Sequence, residues 1–454
     1  MSNETTVNVA AQERMPDYER TLGFWDLFSI SVGIIIGSGV LVFTGRGIAQ
    51  TGRSICLAYL GAAVWVVCTA IPTFLMCSCI RLIGGGYTQC NLFLGERWGG
   101  FYLAIYFLGQ MGLTLYAQTF ALYFCELFGG GNEKLVAALM ITFFYALNFF
   151  GVDFMSKAQN LMSAILLLAL IWFTIRGLPK VNWGTFFGGE GWMTGGIKGL
   201  FATSTLLTYS LMGATSLMPY SAQAKNPRRD IPLAGAISTF SIAILFALMG
   251  IVCSGILPLD QVANQTLGVI ANHFLTRPEY IFFMAGGALC AAATTLNGLI
   301  GSVPISLVML SHDGWLPKKL GTLHPKHKTA YKYLFIYYLI TMAPLFLGID
   351  ISAVSDMTLL GSYVQTAIFI FNMRKIPDLF PEQWEKSVFH MPRGVFNVIM
   401  WVCFIGACFN VYGQLTNSDA KTIAFNVAIM AVGIIYSLVW FKNVKPTVSY
   451  ELES

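Results

Sequence analysis

Twelve long apolar runs occupy most of the chain, and two of them contain small residues where a membrane helix should be continuous. The first interruption lies in segment 33–39, Gly-Ile-Ile-Ile-Gly-Ser-Gly, and the second surrounds Ser210 and Gly213. Because lipid cannot pair the amides and carbonyls that an interruption frees, such segments are tolerated only where they line a cavity. Two interruptions, each opening one half of the chain, indicate a transporter's substrate site near the middle of the membrane.

Composition agrees with a membrane protein, since 56% of the residues are hydrophobic and 11% are charged, whereas soluble domains are about 25% charged. The net charge of +5 does not indicate a nucleic-acid partner, because the basic residues lie in short loops rather than in a patch. Residues 1–20 contain no apolar signal segment, so the first span is expected to direct insertion. Most of the ten cysteines lie in apolar runs as hydrophobic residues, and neither a metal nor another cofactor is expected.

Runs long enough to cross a hydrocarbon core of about 30 Å predict twelve spans. These lie near 24–45, 55–81, 98–128, 135–152, 159–178, 195–219, 232–257, 280–310, 331–348, 352–373, 394–416 and 422–441. With twelve spans both termini lie on one side, and 19 of the 27 lysines and arginines fall in the loops on that side. Because positive residues favour cytoplasmic loops, both termini are predicted to be cytoplasmic, in a multi-pass protein of the plasma membrane.

The spans repeat as a pattern, because an interrupted helix followed by four spans occurs twice. This predicts an all-α membrane fold with a five-plus-five inverted repeat, helices 1 and 6 broken, and two additional helices. The predicted divisions are a cytoplasmic N-terminal segment at 1–21, a first repeat at 22–178, a second repeat at 195–374, spans 11 and 12 at 394–441, and a cytoplasmic tail at 442–454.

The first interruption has the features of an anion site. Gly37 and Gly39 allow a ligand to approach the backbone beside Ile35, and Ser38 adds a hydroxyl donor. The amides that follow begin a new half-helix, whose N-terminus attracts a carboxylate. A glycine helix-packing face is the alternative interpretation, and the matching interruption in the sixth span favours a binding site.

The second interruption has the opposite polarity. The carbonyls of Tyr209 and Met212 are expected to accept from an ammonium group, Gly213 gives room, and the Tyr209 ring is a candidate lid or a packed interfacial aromatic. The middle of every predicted span lacks a charged residue. A zwitterion held between two opposed helix ends needs no fixed countercharge, so the pattern favours a zwitterionic substrate.

Two further polar positions are candidate pocket or gate residues. Thr295 in the eighth span offers a hydroxyl, although hydroxyls in membrane helices usually bond their own backbone. Asp356 lies about one turn into the tenth span, where a gate or proton role and an interfacial position are equally compatible with the sequence.

Four segments carry a family resemblance. Residues 225–232 (Lys-Asn-Pro-Arg-Arg-Asp-Ile-Pro), the glycine segment at 33–40, Gly-Gly-Tyr at 85–87 and Asp-Gly-Trp-Leu-Pro at 313–317 occur in order and at matching span positions. Together they resemble segments of the amino acid–polyamine–organocation superfamily. The resemblance implies the inverted-repeat fold and transport of amino acids or related amines by alternating access. It also implies that the substrate carboxylate meets Ser38 and Gly39, and that the amine meets carbonyls around Tyr209 and Met212.

The chain departs from that family's pattern at three positions. Many relatives carry a lysine in the middle of the fifth span, in the place of a sodium ion, and here that position is apolar, with Leu166 expected to be nearest to it. Where relatives often have an aromatic residue after the sixth-span glycine, this chain has Ala214, which suggests a roomier pocket. At the next position relatives often have an acidic or polar residue; this chain has Thr215, and the lack of an acid there argues against a dicationic substrate.

These observations favour a secondary active permease or exchanger for a neutral amino acid, working between spans 1, 3, 6, 8 and 10 of a lipid-embedded protein. An amine, polyamine or precursor–product antiporter is the alternative within transport. A non-transporting membrane partner protein is an alternative of another class, and the short loops argue against it. No nucleophile–base pair or metal cluster is evident, so an enzyme is not expected. The sequence does not predict the oligomeric state.

Overall fold

The computed structural model describes residues 20–37, 39–82, 84–188, 191–348, 351–445 and 450–451. Within these ranges it describes every side chain except those of Val42, Tyr209, 351–357, Leu359, 416–417 and 450–451. The described α-helices of eight or more residues are α1 (Phe24–Ile35), α2 (Gly39–Thr51), α3 (Ile55–Cys79), α4 (Gly86–Phe93), α5 (Gly99–Met111), α6 (Leu113–Phe128), α7 (Glu133–Phe149), α8 (Val152–Gly177), α9 (Gly196–Leu211), α10 (Pro227–Ile256), α11 (Leu267–Phe274), α12 (Cys290–Asp313), α13 (Tyr331–Leu347), α14 (Ile351–Met373), α15 (Arg393–Asn417) and α16 (Ala420–Trp440).

Shorter elements connect these helices. They are the 3₁₀ helices Gly52–Ser54, Glu96–Trp98, Leu178–Lys180, Ala214–Ala222, Lys318–Leu320 and Phe441–Asn443, the short α-helices Trp183–Phe186, Leu259–Val262, Arg277–Phe282, Ile376–Leu379 and Pro381–Glu385, and the π-helical segment Phe283–Leu289. Two short strands, β1 (Arg81–Leu82) and β2 (Tyr450–Glu451), pair antiparallel, with Arg81 opposite Glu451.

Seven helical stretches of the described chain are long and apolar enough to cross a membrane. They are Phe24–Leu41, Phe43–Cys79, Val152–Lys180, Pro227–Ile256, Arg277–Asp313, Arg393–Tyr412 and Ala420–Asn443. Tyr331–Leu347 is a shorter apolar helix. The protein is therefore a multi-pass membrane protein, and large apolar side chains such as Leu161, Phe143 and Val432 are well exposed on its outside, as a lipid-facing surface requires.

The run predicted as a single span at 98–128 is two helices, α5 and α6, that meet at Gly112. The amide of Gly112 donates to the carbonyl of Gly109, three residues back, at 3.2 Å. This tighter turn replaces the regular four-residue spacing of an α-helix. A Cβ at Gly109 would meet nothing within 4 Å, so the junction borders open space.

The helices that flank the two interruptions pack closely on one another. In the contact between α3 and α10, the rings of Tyr59 and Phe246 lie 5.5 Å apart in an edge-to-face arrangement. Ser31 of α1 and Ser238 of α10 share a buried hydrogen bond of 2.6 Å between their hydroxyls. α1, α3 and α10 therefore form a packed group around the interrupted first span.

Candidate functional site

The first span is interrupted between α1 and α2, within the segment where the sequence predicts a break. The amide of Gly37 donates to the carbonyl of Ile35 at 2.8 Å, in a turn tighter than a helix. The carbonyl of Gly33, which an unbroken helix would pair with the Gly37 amide, instead accepts from Thr295 Oγ1 at 2.7 Å and Thr294 Oγ1 at 3.2 Å. Hydroxyls of α12 thus satisfy the interrupted end of α1.

A buried polar network lies behind this interruption. Gln159 Oε1 accepts from Asn297 Nδ2 at 2.7 Å, and Asn297 Oδ1 accepts from Asn148 Nδ2 at 3.0 Å. Gln159 Nε2 has no hydrogen-bond partner among the described residues and lies 2.0 Å from where a Cβ on Gly33 would be. Only glycine at position 33 leaves room for the Gln159 amide, so α8 is seated directly against α1.

The side of the fifth span that faces the first is polar at Gln159 and Ser163. Leu166 is buried in an apolar cluster, about two turns beyond Gln159 along α8. Gln159 and Ser163 lie against α1, and Ser163 Oγ donates to the carbonyl of Ser29 at 3.0 Å. Residues four apart share one helix face, which explains why these two side chains face α1 together.

The sixth span is interrupted between α9 and the 3₁₀ helix at Ala214–Ala222. Met212 leaves the helix with an extended backbone, at φ −67° and ψ 143°. Gly213 then adopts φ +147°, a conformation that is accessible to glycine and strained for other residues. The last carbonyls of α9, like those of any helix end, have no partner within their own helix. They are available to a ligand beside the break.

The two interruptions are in contact with each other. A Cβ on Gly213 would lie 2.9 Å from Ile34 Cγ2 and 3.1 Å from the backbone of Ile34, while a Cβ on Gly39 would lie 3.1 Å from Ser210 Cα. Ser210 is 2% exposed, and its hydroxyl has no hydrogen-bond partner among the described residues. The positive N-terminal end of α2 therefore lies beside the negative C-terminal end of α9.

A cavity of about 370 Å³ opens at this contact, between helices of both halves of the chain. All of its described lining residues are uncharged. Its polar side chains are those of Thr69, Gln110, Tyr116, Ser210, Thr215, Ser216, Ser302, Thr358, Ser362, Tyr363, Thr366 and Asn410. A ligand held here meets neutral hydrogen-bonding groups and the two helix ends rather than a fixed charge.

A second cavity of about 280 Å³ adjoins the first, and the two share lining residues that include Gln110 and Thr215. It extends to Gln89 of α4 and Met373 of α14, where Gln89 Nε2 lies 3.3 Å from Met373 Sδ. Its described lining residues are also uncharged. Together the cavities form a polar, uncharged region that leads away from the two interruptions.

The structure brings most of the predicted site residues to the first cavity. Those that line it are Ile35, Gly37, Gly39, Met212, Gly213, Ala214 and Thr215. Thr295 lies behind the wall, with its hydroxyl on the carbonyl of Gly33. Ser38 lies outside the described residues, as do the side chains of Tyr209 and Asp356.

Several lining residues were not singled out from the sequence. Tyr116 lies 3.7 Å from where a Cβ on Gly37 would be, and the hydroxyl of Tyr363 lies 3.9 Å from Met212 Sδ. Gln110 and Asn410 place carboxamides on the cavity wall. A polar side chain inside an apolar run is the signal that could have identified Gln110 and Asn410, because such residues are costly in lipid.

Two of the loop motifs contact each other beside the second cavity. Tyr87 donates its hydroxyl to Asp313 Oδ2 at 2.6 Å. Burial, and next the Asp313 carboxylate, hold the pKa of Tyr87 well above its ordinary value, so Tyr87 remains a neutral donor. Trp315 packs on Gly99, where a Cβ would lie 2.4 Å from the indole nitrogen. These motifs therefore join the loops at the start of α4 and the end of α12.

Known proteins that resemble this chain are permeases and transporters. Residues 22–441 match the amino acid permease family. The chain is 24% identical to the branched-chain amino acid permease BcaP of Bacillus subtilis, over 82% of this chain and 84% of that protein. It is 24% identical to a methylthioribose transporter of the same species, over 71% and 74% of the two chains. It is 23% identical to the vacuolar cationic amino acid transporter 4 of Arabidopsis thaliana, over 78% and 63%.

These relatives are transporters rather than enzymes, and the family match covers both interrupted spans and the cavity between them. The resemblance seen in the four sequence motifs is thereby confirmed. The chain is a multi-pass membrane transporter that belongs to the amino acid permease family of the amino acid–polyamine–organocation superfamily.

Proposed function

We propose that the protein is a secondary active permease or exchanger that moves a neutral amino acid through the 370 Å³ cavity by alternating access. The observation that carries this proposal is the contact of two interrupted helices at a cavity whose described lining is uncharged. The start of α2 attracts an anion, and the end of α9 attracts a cation. A zwitterion satisfies both helix ends at once, so the site needs no charged side chain.

In this proposal each end of the substrate meets main-chain groups. The carboxylate accepts from amides at the start of α2, beginning at Gly39, and Ser38 adds its hydroxyl. The ammonium donates to carbonyls at the end of α9, around Tyr209 and Met212. Gly213 keeps the backbone open between them, and the Tyr209 ring closes over the bound substrate.

The proposed architecture has twelve spans in the plasma membrane, with both termini cytoplasmic. Residues 22–178 and 195–374 form the two inverted repeats, and 394–441 add two helices. The charge distribution supports this orientation, since 19 of the 27 lysines and arginines lie on the side of the termini. The equivalent positions of the interruptions, each at the first span of a repeat, support the internal symmetry.

Transport proceeds by motion of spans 1, 2, 6 and 7 against the remainder. Close packing within this group supports its movement as a unit, because α1, α3 and α10 are joined by the Ser31–Ser238 hydrogen bond and the Tyr59–Phe246 ring contact. Substrate binding stabilises an occluded state. Different substrate affinities of the outward and inward states couple binding to the conformational change.

An amine, polyamine or precursor–product antiporter is the second candidate, favoured only by the cationic transporters among the relatives. A dication in a low-dielectric cavity requires anionic partners, and the described lining residues of both cavities include none. A non-transporting partner protein is a weaker candidate, because the relatives named above are all transporters by name.

Uptake by purified protein in proteoliposomes tests the proposed function. We expect uptake of labelled L-alanine that unlabelled neutral amino acids suppress and that putrescine and agmatine do not. Uptake of putrescine or agmatine without competition from amino acids would replace this proposal with the antiporter. Binding measured by thermal shift provides a second readout, because ligands that bind only the folded state raise its stability.

A further inference from the structure

A carboxamide from outside the predicted inverted repeats reaches the cavity. Asn410 belongs to α15, the first of the two additional helices, and it lines the cavity with Ala407. About seven residues separate it from the end of α15, which corresponds to roughly 10 Å of helix. Asn410 therefore lies about two turns before the end of α15.

The helical periodicity shows that Asn410 continues the inward face of α15. The side chains of that face are at most 3% exposed, at spacings of four, three and four residues: Phe396, Met400, Cys403 and Ala407. Asn410 is the next position, three residues on. The opposite face is apolar and exposed, with Val402 at 47%, Ile405 at 63% and Phe409 at 51%. An otherwise apolar inward stripe thus becomes polar where it reaches the cavity.

Gln110 provides a second carboxamide on the same cavity. It lies one residue before the end of α5, between Gly109 and the junction at Gly112. Both glycines also line the cavity, and a Cβ on Gly109 would meet nothing within 4 Å. Because Gly109 and Gly112 carry no side chains, neither residue screens the Gln110 amide from a ligand.

Neither Gln110 nor Asn410 makes a side-chain hydrogen bond to another described residue. Water pairs such groups while the cavity is hydrated, and a substrate that displaces the water must replace those hydrogen bonds. An aliphatic substrate side chain would leave the carboxamides unpaired, which is costly in a site that excludes water. Sites with unpaired polar groups discriminate strongly against ligands that lack the matching group.

We propose that Gln110 and Asn410 form a side-chain subsite that selects neutral amino acids with a hydroxyl or carboxamide over branched aliphatic ones. This inference rests on the proposed function, since it assigns the substrate class of the same cavity. A carboxamide both donates and accepts, so each residue matches neutral hydrogen-bonding side chains of either polarity. The uncharged described lining disfavours charged side chains.

Competition against uptake of labelled L-alanine tests the subsite, because the alanine side chain has no hydrogen-bonding group for the carboxamides to pair with. In the unchanged protein, L-glutamine and L-threonine are expected to inhibit at concentrations about tenfold or more below those of L-leucine and L-valine. Asn410→Leu and Gln110→Leu are each expected to remove that preference, so that L-leucine and L-valine inhibit at about the same concentrations as L-glutamine and L-threonine. Gln110→Leu lies on another helix, so the test does not depend on one variant folding.

Gln414→Leu is the matched control, because Gln414 lies one turn beyond Asn410 on α15, bonds Ser418 at 3.3 Å and does not line the cavity. Gln414→Leu should retain the unchanged protein's order of competitors. Asn410→Gln, which keeps a carboxamide, should retain much of the preference that Asn410→Leu loses. If L-leucine competes more strongly than L-glutamine in the unchanged protein, the subsite is overturned and the proposed function is left intact. An equal effect of Asn410→Leu on every competitor also overturns the subsite. Failure of every amino acid to bind or enter contradicts the proposed function itself.

Discussion

Gly39 and Ser210 touch across the two interrupted helices, since a Cβ on Gly39 would lie 3.1 Å from both Cα and Oγ of Ser210. The start of α2 and the end of α9 are therefore neighbours because position 39 carries no side chain. Helix ends of opposite polarity lie on one cavity wall as a result.

Substitution of Gly39 should remove substrate binding. Gly39→Leu fills the space at the start of α2, so binding and uptake should be abolished, while the smaller Gly39→Ala should weaken affinity by about tenfold, or ~1.4 kcal/mol. Thermal shift measures binding by each variant, and proteoliposome assays measure uptake. Gly109→Ala is the control, because that glycine lines the same cavity and its added Cβ would meet nothing within 4 Å. Unchanged uptake by a well-folded Gly39→Leu protein would remove this residue from the site.

Gly213→Ala should destabilise the folded protein. The alanine must hold φ +147° and places its Cβ 2.9 Å from Ile34 Cγ2. Backbone strain of this kind costs about 1–3 kcal/mol, so the melting temperature in detergent should fall and uptake with it. Gly394→Ala should leave the melting temperature unchanged, because a Cβ there would have nothing within 4 Å. Equal melting temperatures for the two variants would contradict the conformation described for the second break.

Gly33 and Gln159 should be energetically coupled. Gly33→Ala forces the Gln159 amide away from its position 2.0 Å from the new Cβ and strains its bond to Asn297. Gln159→Ala removes the obstructing amide, so Gly33→Ala should cost less in that background. Residues in direct contact commonly couple by about 0.5–3 kcal/mol. Rescue should be partial, because Thr294 Cβ would also lie 2.8 Å from the new Cβ. Strictly additive losses of stability in the double variant would show that the two residues do not meet.

Tyr87→Phe should lower stability without altering the substrate preference. The change removes the 2.6 Å hydrogen bond to Asp313, a buried carboxylate that is 2% exposed. Loss of one partner of a buried hydrogen bond costs about 1–3 kcal/mol. Tyr412→Phe is the comparison, because Tyr412 is 65% exposed and its replacement should be neutral. A melting temperature equal to that of Tyr412→Phe would indicate that the Tyr87 contact contributes nothing.

The two interruptions could be predicted from sequence because their signal is local. Gly37, Gly39 and Gly213 stand in apolar runs, and glycine both permits non-helical backbone and allows close approach. The polarity of each break also follows from the chain direction. A helix starts after the first break and presents amides, and a helix ends at the second break and presents carbonyls. That is why seven of the predicted pocket residues line the cavity.

The rest of the wall depends on tertiary packing that no local pattern encodes. Gln110 and Asn410 lie 300 residues apart and line one cavity only because α5 and α15 border the same space. The contact of Gln159 with α1 was not predicted for a related reason, since Gln159 lies in a different helix from Gly33 and 126 residues away in the chain. The rotation of α8 against α1 decides which face is turned toward the break, and glycine at position 33 leaves room for Gln159 on that face.

A cryo-electron microscopy map of the protein in lipid nanodiscs with saturating L-alanine would show whether both breaks hold the substrate. We expect ligand density between α2 and α9, with the carboxylate toward the amides that begin at Gly39 and the ammonium toward the carbonyls near Met212. A map in which the first and sixth spans run as continuous helices, or in which the amino acid binds away from both breaks, would contradict this expectation.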